Sequence, residues 1–503
     1  MPQDRPERDR LLGWVSAIGV TALAAALRLP ALTRPHELVF DETYYVKDAW
    51  TLLQLGYEGQ WGADPDPAFE AGDVDGYSDR ASYVVHPPVG KWVIAAGLRL
   101  FGAQDPVGWR IGTVVAGILS VLLLTRIARR LFRSTAAGTL AGLLLAVDGT
   151  AIVLSRTALL DGVLATFVLA AFGALLLDRD GARRRLAHLI GPPRSPSRWG
   201  PGLGLRPWRL LAGVLLGLAV GTKWSALWFI AVLGLTTVAW DASARYRAGV
   251  QRWWQATLLK DAVPAFLSLV VVAGGTYLAG WVGWLRSTAG YGRTWAEGHP
   301  GEGVTWLPPA LRSLWKYHQD MWGFHTTLTA EHGYAAHPLG WPVQWRPTSF
   351  YYLAPEPAQQ VCGADRCSQA VTSLGNPLLW WLAAAAFVAC VWWAVRRRDA
   401  VAAAALTGVV AGWLPWFAYS HRTIFTFYAV VFLPWMILCL TWATVRLLAW
   451  GDRDVVRRSL VRTTVVVLAV LVLAASTFFW PVWTAQVMPF GDWQLRMWLP
   501  SWV

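Results

Sequence analysis

The sequence predicts an all-α polytopic membrane protein of about eleven transmembrane helices, with amphipathic helices in a first outer loop and a compact outer cap. Three observations predict it. Of 503 residues, 55% are hydrophobic, 15% are charged and 34 are tryptophan, a composition that excludes an ordinary soluble globule. Apolar runs long enough to cross a bilayer recur along the chain. Basic residues gather in every second loop, which is the signature of membrane topology.

Candidate spans fall near 11–29, 107–126, 135–154, 158–177, 210–222, 224–240, 262–284, 378–395, 400–419, 424–445 and 462–480. A net charge of +13 would point to nucleic acid in a soluble protein, but here the cations are sorted by loop. Arg5, Arg8 and Arg10 precede the first span. Arg126 to Arg133, Arg179 to Arg209, Arg245 to Lys260, Arg396 to Arg398 and Arg446 to Arg458 continue the series. The positive-inside rule makes these loops and the N-terminus cytoplasmic, and an odd number of spans leaves the C-terminus outside. Loop 30–106 carries five basic and twelve acidic residues and is assigned to the outer face of the cell membrane. A cleaved signal peptide is the weaker reading of the first span, because the run is longer than a signal core and Arg28 follows it directly.

The two long non-membrane segments, 30–106 and 285–377, are both expected outside. The first has amphipathic stretches from Tyr44 to Leu55 and from Val89 to Phe101. The second reads as a compact cap with a short helix around Leu311 to Met321 and strands around Val343 to Leu353. The organisation expected is an N-terminal catalytic membrane module (1–284), the cap (285–377) and a C-terminal membrane module (378–503). The cytoplasmic loop 178–209, with its Gly-Pro-Pro-Arg-Ser-Pro-Ser-Arg stretch, reads as disordered and membrane-apposed. Cys362 and Cys367, placed outside, are expected to form a small disulfide staple, two free thiols being the weaker reading.

Five constellations fall at outer ends of spans or in outer loops: Asp41-Glu42, His86-Pro-Pro-Val-Gly-Lys91, Ser155-Arg156 through Asp161, Gly221-Thr-Lys223-Trp, and His421-Arg422 through Tyr428. Each is weak alone. Acidic pairs at a helix mouth mark sites, pathways or solvated faces. Arg156 fits a snorkelling interfacial arginine equally well, and His86-Pro-Pro fits a rigid helix-opening turn. Arg156, Lys223 and Arg422 nevertheless place three cations in an outer leaflet that has no topological reason to hold them. An anionic ligand such as a lipid phosphate suits them, since Arg offers a fork and Lys a point charge. The Asp64-Pro-Asp66 and Asp73-Val-Asp75 pairs read as a solvated acidic loop rather than a metal-nucleotide site, and no ligand cluster supports a divalent metal.

A lipid-phosphate sugar supplies a leaving group that departs as an anion, so it dispenses with the general acid that glycoside hydrolysis needs. One carboxylate base then suffices to take the proton of an incoming hydroxyl, while fixed cations meet the charge developing on phosphate. Displacement from the opposite face inverts the anomeric centre.

Phe40-Asp41-Glu42-Thr-Tyr-Tyr45, His86-Pro-Pro-x-Gly-Lys91, Ser155-Arg156-x-x-x-Leu-Asp161, Gly221-Thr-Lys-Trp and Arg422-x-x-Phe-x-x-Tyr428 together resemble the bacterial, actinobacterial-type protein O-mannosyltransferases. The resemblance covers essentially the whole chain. It implies a GT-C fold and transfer of mannose from polyprenyl-phosphate mannose to Ser or Thr of exported proteins. It also implies Asp41 as base, Glu42 as companion acid, and Arg156 as a donor-phosphate ligand beside Lys223 and Arg422. Tyr45, His86, Lys91, Asp161, His421 and Tyr428 of the same motifs are expected to contact donor or acceptor. No cofactor beyond the lipid-linked donor is expected, and the partners are exported acceptor proteins and membrane lipids. The segment 285–377 has no room for the β-trefoil module of eukaryotic members. The rival readings are another lipid-phosphate-sugar transferase acting on a glycan or lipid, and a secondary transporter, whose charges sit at the midplane of repeated halves.

Overall fold

A computed structural model of the protein describes residues 4–191 and 198–503. Among these, nine helices are long and apolar enough to cross a membrane: Asp9–Arg28, Pro106–Phe132, Leu160–Ile190, Trp224–Arg247, Trp253–Gly280, Pro377–Arg396, Ala400–Tyr419, Leu433–Gly451 and Val455–Trp483. The two other expected spans take different forms. Thr135–Val147 and Gly149–Arg156 are one apolar run bent by 60°. The break is at Asp148, whose buried carboxylate caps the second half through Ala151 N (3.0 Å) and also accepts from Asn376 N and the Trp380 indole. Pro207–Val220 has only 14 residues, roughly 20 Å of helix against a hydrocarbon core of about 30 Å.

Helix ends follow their sequence signals. Asp105 caps the Pro-initiated helix Pro106–Phe132 through Val107 N at 2.8 Å, and Ser134 caps Thr135–Val147, both side chains satisfying orphan amides of the first turn. The first span is an integral helix of the bundle. Arg28 at its end is fully buried and donates to Ser155 Oγ and to the carbonyls of Leu145 and Ala146.

The amphipathic stretches of loop 30–106 form the helices Glu42–Leu55 and Val89–Phe101, which pack on each other, the second also on Pro106–Phe132. In the cap segment, Pro309–Thr327 is helical, and Thr348–Leu353 pairs antiparallel with Cys367–Ser373, which in turn pairs with Met488–Pro489. A two-stranded ribbon, Gly59–Trp61 with Tyr77–Ala81, also departs from the all-α expectation. Such strands are too short to carry a legible alternation. Cys362 and Cys367 are disulfide-bonded at the turn before Cys367–Ser373. One continuous hydrophobic core runs from Val20 to Trp502.

Over 178–191 and 198–209 the loop is not the disordered segment expected, while 192–197, most of its Gly-Pro-Pro-Arg-Ser-Pro-Ser-Arg stretch, lies outside the described residues. The helix Leu160–Ile190 continues into the loop's first part, and Arg206 and Arg209 pair with the buried Asp178 and Asp241, beside the Arg245–Asp261 pair. These partners lie far apart in sequence, so along the chain the charge run reads as disordered and membrane-apposed. Arg194 lies outside the described residues, as do the side chains of Arg5 and Arg8. The span Trp253–Gly280 is irregular, with π-helical turns at Leu258–Ala262 and Leu267–Val271 on either side of Pro264. It is lightly packed, leaving Leu259, Val263, Phe266 and Val271 exposed.

Candidate active site

Asp41 and Glu42 open the helix Glu42–Leu55. Successive residues at a helix start diverge by about 100°, and here the divergence separates their environments. Glu42 is fully buried. Its carboxylate accepts a bidentate pair from Arg110 (Nε 2.9 Å, Nη2 2.8 Å) and backbone amides from Val39 (3.0 Å) and Ala158 (2.7 Å). Arg110 also donates to the carbonyls of Leu32, Pro35 and Glu37. The Glu42–Arg110 pair thereby ties together the exit of the first span, the start of the second and the turn after Arg156. Arg110 is absent from the motifs singled out in the sequence, although a lone cation four residues inside an apolar span was the available signal.

Asp41 faces a cavity of about 1830 Å³. Its carboxylate accepts a long hydrogen bond from Tyr45 Oη (3.4 Å) one turn along the helix. Burial raises the Asp41 carboxyl from its ordinary value to about 6, against the opposing pull of the Lys223 ammonium. The cavity brings together Asp41, Tyr45, His86, Lys91, Asp161, Lys223, Arg422 and Tyr428, eight of the eleven non-cysteine residues expected at the site. The other three lie elsewhere. Glu42 is spent on Arg110. His421 is exposed and outside the lining. Arg156, expected at a phosphate, donates instead to the carbonyls of Arg28 (2.7 Å), Pro30 (2.8 Å) and Ala31 (2.7 Å) and does not line the cavity. Guanidinium donors find free carbonyls where the first span unwinds, and that local supply moves Arg156 out of the anion set.

The two remaining cations differ. Lys223 Nζ donates to Asp161 Oδ2 at 2.8 Å and lies 4.8 Å from the Tyr428 ring centre, so part of its charge is already answered. Among the described residues, no side-chain partner reaches Arg422, and its buried Nε has none. A buried guanidinium donor without a partner is costly, and it faces the cavity that holds Asp41.

Two motifs are held in register by backbone. Val89 N donates to Gly221 O at 2.9 Å, joining the His86-Pro-Pro turn to the Gly221-Thr-Lys segment. The approach needs glycine on both sides. A Cβ on Gly221 would meet Val89 Cγ2 at 2.5 Å, and one on Gly90 would meet Thr222 Cγ2 at 2.8 Å.

Sequence reasoning found the helix of the roof but not the site residues on it. The helix Pro309–Thr327 contributes Trp315, His318, Gln319, Trp322 and His325 to the lining. His325 Nε2 bonds Val85 O (2.6 Å), and its ring stacks on His86 at 5.1 Å. Burial and the nearby Lys223 charge hold His86 well below its usual range, so the imidazole is neutral, with a buried Nδ1 that has no partner. On its other flank the cavity is apolar, lined by Val220, Leu227, Ile230, Ala231, Val270 and Ala273 from membrane helices. Among the described residues no group of three or more His, Cys, Asp or Glu is arranged to hold a metal.

A family model described as dolichyl-phosphate-mannose-protein mannosyltransferase matches residues 85–185, and one described as the C-terminal four TMM region of protein-O-mannosyltransferase matches residues 310–502. The chain is 38% identical over 512 residues to a polyprenol-phosphate-mannose protein mannosyltransferase of Mycolicibacterium smegmatis (strain MKD8), covering 100% of this chain and 95% of that relative. It is 33% identical over 475 residues to the protein of the same description from Corynebacterium glutamicum, covering 92% and 88%. Among solved structures it is similar to the S. cerevisiae protein O-mannosyltransferase Pmt1-Pmt2 complex bound to the sugar donor, with a TM-score of 0.71 at 14% identity over 99% of this chain and 93% of that one. At that identity the likeness is one of fold.

Proposed function

The chain belongs to the polyprenol-phosphate-mannose protein mannosyltransferases, and from that membership we propose that it moves mannose from polyprenyl-phosphate mannose to Ser and Thr hydroxyls of exported proteins, in one displacement that inverts C1. It is a membrane-embedded glycosyltransferase of the GT-C fold. One observation carries the reading of its site: an incompletely bonded carboxylate, Asp41, and an unpartnered guanidinium, Arg422, line the same cavity, whose opposite flank is apolar.

The acceptor hydroxyl oxygen attacks C1 as Asp41 takes its proton. The bond from C1 to the phosphate oxygen breaks, and its electron pair leaves with the polyprenyl phosphate. Arg422 and, less fully, Lys223 meet the charge that develops there, an electrostatic term worth several kcal/mol in a site closed to water. The apolar flank takes the first prenyl units. Glu42 with Arg110 positions the turn that carries Asp41 and touches no reacting atom. Asp161 holds Lys223 in place. The histidine and tryptophan roof on Pro309–Thr327 faces the acceptor. The site opens outside the cell membrane with the N-terminus cytoplasmic, a reading supported by arginines at the far ends of the helices that bear the motifs. The division into two membrane modules and a cap describes how these parts are supplied: donor contacts from 1–284, the roof from 285–377 and Arg422 from 378–503.

Membranes carrying the full chain, given labelled polyprenyl-phosphate mannose and a Ser/Thr-rich peptide, yield mannosyl peptide. Asp41→Asn lowers that rate by about 10²–10⁴-fold, the range of general-base catalysis. An unchanged rate removes Asp41 as base. Label on glycan or lipid but never on peptide assigns the chain to a different acceptor class, and solute uptake without covalent product assigns it to transport.

A further inference from the structure

One charged cluster on the cavity wall has no part in the chemistry above. Asp48 lies seven residues beyond Asp41 on the same face of the helix Glu42–Leu55, with Tyr45 between them, and all three line the cavity. Lys91, in the first turn of Val89–Phe101, is fully buried and pairs with the buried Glu58. Its Nζ is 3.8 Å from Asp48 Oδ2, beyond hydrogen-bonding distance. Two carboxylates therefore share one ammonium. Among the described residues, no hydrogen bond within normal distance reaches the Asp48 carboxylate, whereas the neighbouring Lys47 turns away to Asp66 and Thr43. An under-bonded carboxylate on a cavity wall is costly unless a ligand donates to it.

Resting on the transferase reading, we propose that Asp48 forms the subsite for the donor's hexose hydroxyls, accepting from a vicinal pair, while the buried Lys91 behind it positions the carboxylate. Three features make the ligand a pyranose rather than an ion or an amide. A carboxylate offers two acceptor oxygens to a vicinal pair of hydroxyls and repels an anion. Tyr45, between Asp41 and Asp48 on the helix, lines the same cavity and supplies an aromatic ring on which sugar C–H groups pack. Seven residues of helix separate Asp41 from Asp48 by about 10 Å, room for an attacking oxygen at one end and a six-membered ring reaching toward the other. Burial and the adjacent Glu58 raise the Asp48 carboxyl to about 7, against the pull of Lys91, as befits a group whose partners arrive with the substrate.

The test compares two lipids on the purified full-length protein, wild type and Asp48→Asn: polyprenyl-phosphate mannose, and polyprenyl phosphate without the sugar. Asp48→Asn weakens binding of the mannosyl lipid about 10–100-fold, raises its KM more than it lowers kcat, and leaves the affinity for sugar-free polyprenyl phosphate within about twofold. That last value also reports that the variant is folded. Asp48→Glu, which keeps the charge but moves it by one methylene, gives a smaller loss of the same pattern. Equal weakening of both lipids, no weakening of either, or a rise confined to the KM of the acceptor peptide each overturns the assignment. Because binding is read without turnover, a wild-type protein that binds the mannosyl lipid more tightly than the bare phosphate yet mannosylates no peptide sinks the transferase reading and leaves the subsite standing.

Discussion

Asp41 couples its burial to a pH dependence. The base proposed above acts only when ionised, and burial has raised this carboxyl to about 6. In the free enzyme, kcat/KM for mannosyl transfer therefore rises with pH until about 6 and then levels, falling tenfold per unit on the acid side. The Lys223 charge opposes that shift, so Lys223→Met moves the acid limb to higher pH, whatever it does to the plateau. A limb unmoved in the variant separates Asp41 from the titration. Arg422→Gln removes an unpartnered cation from the cavity and lowers kcat by about 10²-fold, the cost of losing one preorganised donor to a developing anion. Arg156→Gln acts on stability instead, because its donors close the carbonyls of Arg28, Pro30 and Ala31. The sequence grouped Arg156 with Arg422 because both stand at span ends. Spacing along the chain carries no record of which guanidinium meets free carbonyls, and that local supply decided between them. Asp41 and Glu42 were legible as a pair; their division of labour rests on helical phase and on Arg110, which is 68 residues away from Glu42.

At the scale of elements, periodicity was informative and breaks were not. The helices Glu42–Leu55 and Val89–Phe101 follow apolar patterns visible in the chain, since a helix on a bundle must bury one stripe. The bend at Asp148 was hidden because one polar residue in a long apolar run reads as a tolerated interruption, whereas its carboxylate is fully used by three partners in two elements. The roof helix Pro309–Thr327 was found approximately, but its histidines were not read as site residues, because their partners are distant in the chain: Val85 and His86 for His325, Tyr277 and Trp224 for His318. The joint between Val89 and Gly221 gives an element-scale prediction. Gly221→Ala puts a methyl 2.5 Å from Val89 Cγ2, forcing a shift that costs about 1–3 kcal/mol. Thermal unfolding in detergent reads the loss, and transfer activity falls because His86 and Lys223 hang on the two sides of that joint. An unchanged melting midpoint would mean the two segments are free to separate.

At the scale of the molecule, charge is sorted between the two ends of the bundle. The end bearing the cavity holds acids and cations in specific pairs, and the far end holds the Arg206, Arg209 and Arg245 network with Asp178, Asp241 and Asp261. Breaking that network from one side, as in Asp261→Asn, strands a buried arginine and destabilises the protein by about 3–5 kcal/mol. The folded fraction keeps its catalytic constants, because the cavity lies at the other end. Orientation is read with an impermeant thiol reagent. The free cysteines Cys390 and Cys439 are buried and Cys362 and Cys367 are bonded, so the native chain gives little background. Glu302→Cys labels on intact cells and Arg397→Cys only after permeabilisation; the reverse pattern inverts the topology.

The irregular span Trp253–Gly280 presents Val270 and Ala273 to the cavity and Val263, Phe266 and Val271 to its surroundings, so along this side the wall is one helix thick. A donor whose tail occupies the apolar flank therefore reaches the site from within the bilayer, travelling in two dimensions. Its availability is then a surface density. Diluting the donor with inert lipid at constant bulk molarity slows the enzyme, and diluting the whole suspension with buffer does not.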